Sequence, residues 1–234
     1  MNATKVALVT AASRGMGAAC ARALAERGWA LALLARSVDV HDLARELEAV
    51  AVTGDVTAEA DLGRLVAAAV ERYGRVDGVV NNTGHPPKGE LLELSDADWH
   101  GGLDLLLLNV VRMARLVTPG MLERGSGAFV NISSFAAVEP ALRFPVSAAL
   151  RAALGTFAKL YSQRYAVGGL RMNNVLPGWI DTHPVDEASR QAIAARRVGS
   201  AAEVASAVAF LLSDEASYVT GESLLVDGGL VRAV

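Results

Sequence analysis

The sequence predicts an α/β protein built on a doubly wound parallel sheet, arranged in three layers of helix, sheet and helix. Short runs rich in Val, Leu and Ala alternate along the chain with longer segments of helical periodicity. The short runs are apolar at nearly every position, which is typical of strands buried on both faces of a parallel sheet. Crossovers between parallel strands are right-handed, and they place helices on both sides of the sheet.

The predicted elements follow this alternation in order. Strands are predicted at residues 6–10, 30–34, 49–53, 76–80, 127–132, 170–175 and 223–226. Helices are predicted at residues 15–28, 38–47, 58–73, 96–115, 147–167 and 201–212. No linker rich in Pro, Ser or Gly and no repeat divides the chain, so we expect residues 1–234 to form one domain.

Composition excludes several classes of protein. With 52% hydrophobic and 20% charged residues among 234, the chain does not have the composition of a disordered protein. A net charge of −3 leaves no basic excess to neutralise phosphates, so nucleic-acid binding is not expected. The single Cys20 excludes an intrachain disulfide and a Cys-rich metal site, and no metal is expected. Because we find no leader pattern and no apolar run of bilayer length, we expect a cytoplasmic protein without a membrane partner.

The residues that follow the strands are the candidates for function, because ligands of such sheets bind beyond the carboxyl ends of the strands. After the first strand the chain reads Thr10-Ala11-Ala12-Ser13-Arg14-Gly15-Met16-Gly17. Small residues allow a tight turn, and the amides and dipole at the start of the next helix favour an anion such as a pyrophosphate. Glycine spacing at this first strand–helix turn therefore predicts a dinucleotide site.

Together with later segments, this turn resembles the short-chain dehydrogenase/reductase family over essentially the whole chain. The matching segments occur in the order of the family: the first turn, Asp55-Val56, Asn81-Asn82-Thr83-Gly84, Asn109, Asn131-Ile132-Ser133-Ser134, Pro177-Gly178-Trp179-Ile180-Asp181-Thr182, Thr220-Gly221 and Val226-Asp227-Gly228-Gly229. The resemblance implies a Rossmann fold and a nicotinamide cofactor. The cofactor contacts that it implies fall on Thr10, Ser13, Arg14, Gly15, Met16, Gly17, Asp55, Val56, Asn82, Thr83, Gly84, Pro177, Gly178, Ile180 and Thr182.

The first turn departs from the family pattern at one position. The family reads T-G-x-x-x-G-x-G, and here Ala11 replaces the first glycine. Because alanine is strained at positive φ, we expect Ala11 to avoid the left-handed region and the nucleotide still to fit.

The residue after the second strand distinguishes NADP(H) from NAD(H). A sheet of this type that binds NAD places an acid there, which binds the ribose 2′-hydroxyl. This chain has Ala35 and then Arg36, whose planar guanidinium can pair with the 2′-phosphate of NADP. Arg14 in the first turn offers a second cation. The sequence therefore favours NADP(H) over NAD(H).

The active site departs from the family pattern more strongly. The resemblance identifies Ser134 as the serine that orients the substrate and Asn109 as the residue that supports a bound water. The family then has Tyr-x-x-x-Lys on one helix face, and here the same register gives Ser147 and Arg151. Serine is a far weaker acid than tyrosine, whose pKa is about 10. Arginine does not readily release a proton, but Arg151 can still bind the ribose of the cofactor.

Several sources of the missing proton remain open: Ser147, water, His85 and His183. The histidines follow segments 81–84 and 177–182, and a histidine titrates near neutral pH. Tyr161 and Tyr165 lie roughly 20 Å or more further along the same predicted helix, which is too far for a substitute.

Three functions are consistent with these residues. The first is an NADP(H)-dependent oxidoreductase with an atypical proton donor, acting on a carbonyl or conjugated enone of a small organic or acyl substrate. The second is a nucleotide-binding sensor or partner subunit without turnover, which the loss of the tyrosine favours. The third, a structural subunit without cofactor, is disfavoured by Arg36, Asp55 and Asn82. The resemblance also implies a homo-oligomer, a tetramer or a dimer, formed through helices 96–115 and 147–167.

Overall fold

A seven-stranded parallel sheet forms the centre of the computed structural model, which describes residues 4–232. Its strands run in the order β3-β2-β1-β4-β5-β6-β7, and every neighbouring pair is parallel. The strand order reverses between β1 and β4, which creates a crevice at their carboxyl ends. This confirms the predicted fold class. The strands are β1 Val6–Thr10, β2 Ala30–Ala35, β3 Val50–Thr53, β4 Gly78–Asn81, β5 Gly127–Ile132, β6 Leu170–Pro177 and β7 Ser223–Val226.

Helices cover both faces of the sheet. They are α1 Gly15–Ala25, α2 Val40–Glu46, α3 Glu59–Tyr73, α4 Asp96–Leu103, α5 Asn109–Arg124, α6 Pro145–Tyr165, α7 Glu187–Ala192 and α8 Ala201–Leu212. The helices α1, α2 and α8 share one apolar cluster with the sheet, and α3, α5 and α6 share the other. In strand β1 the first four residues are apolar because the strand is covered on both faces: Val9 packs in the first cluster and Leu8 in the second.

The long helical run after β4 differs from the prediction. It extends from Asp96 to Arg124 rather than ending at 115, and Gly125 terminates it in the left-handed conformation with a φ of +65°. Between α4 and α5 the hydrogen bonding is π-helical over Asp104–Leu108. The π-helical turn ends directly before Asn109, whose side chain is buried.

Helix α7 lies in a segment where the sequence predicted no element. Asp186 caps it, because the Asp186 carboxylate accepts a hydrogen bond of 2.7 Å from the Ser189 backbone N–H. The helix has only six residues, so it gives little periodic signal.

In the described part of the chain, one helical run, Asp96–Arg124, has the length and apolarity that a membrane-crossing helix would need. In its most apolar window, 44% of the residues are buried inside the protein. Val110, Met113 and Val117 on its inner side pack against the sheet, as in the core helices of other α/β proteins.

Candidate active site

A cleft of about 870 Å³ opens at the carboxyl ends of the strands, where the sequence placed the site. Most of the predicted cofactor and active-site residues lie in its walls. They are Ser13, Arg14, Gly15, Met16, Arg36, Asp55, Val56, Asn82, Thr83, Gly84, Ser134, Ser147, Arg151, Pro177, Gly178, Ile180 and Thr182. Thr10, Gly17 and Asn109 do not line the cleft.

Thr10 and Gly17 instead shape the turn between β1 and α1. The Thr10 hydroxyl donates to the Asn82 carbonyl oxygen at 2.6 Å and accepts from the Asn82 backbone N–H at 2.9 Å. A Cβ atom on Gly17 would lie 2.3 Å from the carbonyl oxygen of Ala11 and 2.8 Å from Nδ2 of Asn82. The absence of a side chain at Gly17 therefore allows the helix to approach the strand ends.

The expectation for Ala11 was wrong. Its φ is +46°, inside the left-handed region that we expected alanine to avoid. Two hydrogen bonds hold the turn in this conformation: Asn82 Nδ2 donates to the Ala11 carbonyl oxygen at 3.2 Å, and the next backbone N–H, of Ala12, donates to the Leu34 carbonyl oxygen at 3.0 Å. The turn therefore keeps the backbone conformation that suits glycine, at a cost of about 1–2 kcal/mol for alanine.

At one end of the cleft, Arg36 lies beside Asp55. Nη1 of Arg36 is 3.9 Å from Oδ2 of Asp55, and the Arg36 side chain is 77% exposed. Asp55 is held in turn, since its Oδ1 accepts from both the backbone N–H and the hydroxyl of Thr57 at 2.9 Å. The guanidinium of Arg36 is thus loosely paired and open to a further anion.

Sequence reasoning missed two polar residues at this end of the cleft, Ser37 and Asp39. Both line the cleft, and the Ser37 hydroxyl donates to the Asp39 carboxylate at 2.7 Å. Their position directly after Arg36 in the sequence was the available signal, because a strand end exposes several consecutive residues to the crevice.

Some buried polar atoms near the strand ends have no hydrogen-bond partner among the described residues. They are the hydroxyl oxygens of Thr83 and Ser133 and the Oδ1 of Asn109. Such atoms are costly unless a ligand or water satisfies them. Thr83 and Ser133 line the cleft, so this observation fits a polar ligand there. Ser133 was also missed as a site residue, although it directly precedes Ser134.

Ser134, which follows β5, lines the cleft together with Ser147 and Arg151 of α6. The Ser134 oxygen accepts a hydrogen bond from the Ala136 backbone N–H at 3.2 Å, which leaves its O–H to donate to another atom. Arg151 donates from Nε to the Ser147 hydroxyl at 3.2 Å and from Nη1 to the Ile132 carbonyl oxygen at 2.9 Å. These bonds fix the guanidinium in place beneath the cleft.

Arg151 is a buried cation without a carboxylate partner. Arg151 is only 7% exposed. No acidic group of residues 4–232 lies within 4.0 Å of its guanidinium. Burial lowers the pKa of Arg151 to about 10, so it remains positively charged at neutral pH. An unpaired buried charge favours an anion or a developing negative charge nearby.

The two histidines that the sequence singled out contact each other across the cleft. Nε2 of His85 lies 2.9 Å from Nε2 of His183, and both side chains line the cleft. Partial burial is the main cause that lowers the pKa of His85 below its usual value. The neighbouring His183 and the cations Lys88 and Arg151 lower it further.

Among the residues that the structure describes, no tyrosine lines the cleft. Tyr161, which lies on the same helix as Ser147, shares a hydrogen bond of 2.7 Å with the Thr118 hydroxyl. Burial raises the pKa of Tyr161 to about 12. This phenol is therefore part of the apolar layer under the sheet and not of the cleft.

Comparison with known proteins gives a consistent family assignment. The family model described as enoyl-(acyl carrier protein) reductase matches residues 10–231. Cis-4-hydroxycyclohexanecarboxylate dehydrogenase of Sinomonas cyclohexanicum is 37% identical, over 97% of this chain and 96% of the relative. The 3-oxoacyl-(acyl-carrier-protein) reductase FabG of Vibrio cholerae is 33% identical, over 97% of each chain.

A solved structure shares the fold over nearly its whole length. The L-sorbose reductase of Gluconobacter frateurii, crystallised with NADPH and L-sorbose, superposes with a TM-score of 0.92 at 29% identity. The match covers 99% of this chain and 98% of that one.

Proposed function

This chain belongs to the short-chain dehydrogenase/reductase family, and we propose that it is an NADP(H)-dependent oxidoreductase with an atypical proton donor. Its substrate would be the carbonyl group or conjugated enone of a small organic or acyl compound. Relatives that are named dehydrogenases or reductases support the reaction class. The observation that carries the proposal is the convergence of the cofactor segments, Ser134 and Arg151 on one cleft.

The residues at the cofactor end suit a phosphorylated dinucleotide. Arg36 follows β2 where an NAD-binding sheet has an acid, and its guanidinium is open to a 2′-phosphate. Arg14 lies in the first turn, beside the start of α1, where backbone amides favour a pyrophosphate. Thr83 and Ser133 offer buried hydroxyls that have no hydrogen-bond partner within residues 4–232. The L-sorbose reductase structure with NADPH supports the same preference.

The remaining residues act on the substrate oxygen. When bound, the reduced nicotinamide supplies a hydride to the substrate carbon. The Ser134 O–H donates a hydrogen bond to the substrate oxygen and orients it. The fixed charge of Arg151 stabilises negative charge that develops near it, and its guanidinium also binds ribose hydroxyls.

We propose the His85–His183 pair as the source of the proton. The Nε2 atoms of His85 and His183 lie 2.9 Å apart in the cleft walls, and imidazole is the side chain that most often serves as a general acid. Ser147 and a water supported by Asn109 are the alternatives. The serine is the poorer of the two, because the pKa of an alkyl hydroxyl lies far above that of a phenol.

A titration with nucleotide tests the cofactor preference. We expect NADPH to bind at least tenfold more tightly than NADH, because a bidentate pair with a phosphate contributes at least about 1.4 kcal/mol. Arg36→Gln should lose about this factor for NADPH and leave NADH unchanged. Arg27→Gln, an exposed arginine outside the cleft, is the matched control. Equal affinity of the unaltered protein for the two nucleotides would refute the role of Arg36.

A second candidate function is a nucleotide-binding sensor or partner subunit. The specific observation in its favour is the Ser147–Arg151 pair in place of tyrosine and lysine. Assays of NADPH consumption with ketones, acyl thioesters, quinones and enones separate the two functions. Consumption with any of them supports the oxidoreductase, whereas NADPH binding without consumption across the whole set supports the sensor.

A further inference from the structure

Cations cluster at one end of the cleft. Lys88, Arg143 and Arg151 line its walls, whereas the acids that line it, Asp39 and Asp55, follow β2 and β3 at the other end. Asp55 is also partly neutralised by Arg36, at 3.9 Å. The substrate end therefore has positive charge without a compensating carboxylate in its described walls.

The three cations have no ion pair within residues 4–232. Elsewhere in this range many lysines and arginines pair with an acid within 4.0 Å, at distances such as 2.6 Å for Lys5 and Asp214. No acid lies this close to Lys88, Arg143 or Arg151. Arg143 interacts electrostatically with Asp186 at a longer distance. The pKa of Asp186 is lowered mainly by hydrogen bonds from Ser189 and to a smaller extent by Arg143.

An aromatic surface positions the exposed cations. Phe135, Phe144 and Trp179 line the cleft, with the Trp179 ring centroid 5.8 Å from Phe135 and 6.2 Å from Phe144. Arg143 lies over both Phe144 and Trp179, at 4.8 and 5.1 Å from the ring centroids. Lys88 lies 5.3 Å from the centroid of Phe144 on a different loop. Cation–π contacts of this kind hold a long side chain in place without neutralising its charge.

We propose that the substrate carries an anionic group, a carboxylate or a phosphate, on an apolar ring or chain, and that Lys88 and Arg143 bind this group. The inference rests on the proposed function for the location of the reacting carbonyl. It adds a substrate class to the proposed function. The aromatic surface of Phe135, Phe144 and Trp179 contacts the apolar body, while the two cations bind the anion at its far end.

Binding of matched probes tests this subsite. The probes are 4-acetylbenzoate, its uncharged methyl ester and 4-acetylphenyl phosphate, titrated calorimetrically into the full-length protein with and without saturating NADP⁺. We expect at least one anion to bind about tenfold or more tightly than the ester, as for a charge-assisted hydrogen bond. The tighter of the two anions identifies the group. Raised salt should weaken binding of the anion and leave the ester unchanged.

Substitutions of Lys88 and Arg143 test whether these two residues cause the preference for the anion. Lys88→Gln and Arg143→Gln should each reduce the preference for the anion several-fold, while ester affinity stays constant as an internal control for folding. Arg27→Gln, outside the cleft, should retain the full preference. An ester that binds as tightly as both anions, or a preference that survives both variants, would overturn the subsite.

Failure of the subsite can be told apart from failure of the proposed function. Absence of NADPH binding contradicts the cofactor assignment, but the probes still test the subsite in the free protein. Tight NADPH binding with no preference for an anion contradicts the subsite and leaves the oxidoreductase proposal standing.

Discussion

The Nε2 atoms of His85 and His183 lie 2.9 Å apart, so one imidazole donates a hydrogen bond to the other across the cleft. His85 follows β4 and His183 follows β6, so the pair links two loops that border the substrate end. Their ring centroids are 4.8 Å apart with the rings tilted by 58°. The arrangement provides two linked imidazoles in a cleft whose walls, among residues 4–232, contain no tyrosine.

This pair predicts a pH dependence of reduction. A general acid must be protonated, and the pKa of His85 is lowered by partial burial and then by His183, Lys88 and Arg151. The rate of carbonyl reduction should therefore continue to rise as the pH falls below about 6.5, the ordinary pKa of histidine. The measurement is kcat as a function of pH between about 5 and 9.

Substitution of the pair should remove this dependence. We expect His85→Gln and His183→Gln each to reduce kcat about 10²-fold at acidic pH, the lower part of the range for general acid catalysis. His41→Gln is the control, since His41 bonds to Thr53 outside the cleft walls. A profile that keeps its acidic rise in both cleft variants would show that another group supplies the proton.

The hydrogen bond between Arg151 and Ser147 predicts that a family-type acid can be rebuilt. Ser147 lines the cleft one helical turn before Arg151, so Ser147→Tyr directs a phenol into open space. Combined with Arg151→Lys, it should raise ketone reduction about 10²-fold and make the rate insensitive to His85→Gln.

The control for this rebuilding is Ser147→Phe with Arg151→Lys, which adds the same ring without the hydroxyl. It should bind NADPH as the tyrosine variant does and show no gain in rate. If the two double variants reduce ketones equally, the phenol is not acting as an acid, and the pocket itself has diverged.

Much of the fold and of the cleft followed from the sequence, because both depend on local pattern. Apolar strands specify a sheet buried on two faces, and the residues after them must meet at its edge. The π-helical turn Asp104–Leu108 has no such signal, since its leucines suit an α-helix equally well. It directly follows the close approach of α4 to α6 at Gly102, where a Cβ atom would clash with the Val146 side chain.

The substrate end was less predictable because distant segments build it. Lys88, Phe144 and Trp179 come from three separate loops, and no spacing rule brings them together. The conformation of Ala11 was missed for a related reason. Hydrogen bonds from Asn82 and to Leu34 fix this turn from outside, and they outweigh the intrinsic preference of alanine.

Because Gly17 packs closely against the turn, adding a single methyl group there should destabilise the protein strongly. In Gly17→Ala the new methyl group would lie 2.3 Å from the Ala11 carbonyl oxygen, a backbone atom that the turn holds in place. We expect a loss of about 2–3 kcal/mol in the free energy of unfolding, measured in urea. Gly63→Ala is the matched control, because Gly63 lies within α3 with no atom near its Cβ position. It should gain up to about 1 kcal/mol, and equal losses at both sites would contradict the packing argument.

The positive φ of Ala11 predicts that replacing this alanine by glycine stabilises the protein. Ala11→Gly removes the strain of the left-handed conformation, about 1–2 kcal/mol, but adds conformational freedom to the unfolded chain. The net gain in the free energy of unfolding should be about 0.5–1 kcal/mol, measured by urea denaturation with and without NADPH. The adjacent Ala12→Gly serves as the control, since Ala12 is fully buried and its φ is not positive. That variant should lose stability, because it removes a packed methyl group and gains nothing in the turn. A loss of stability in Ala11→Gly would mean that the Ala11 methyl group contributes more to packing than its backbone conformation costs.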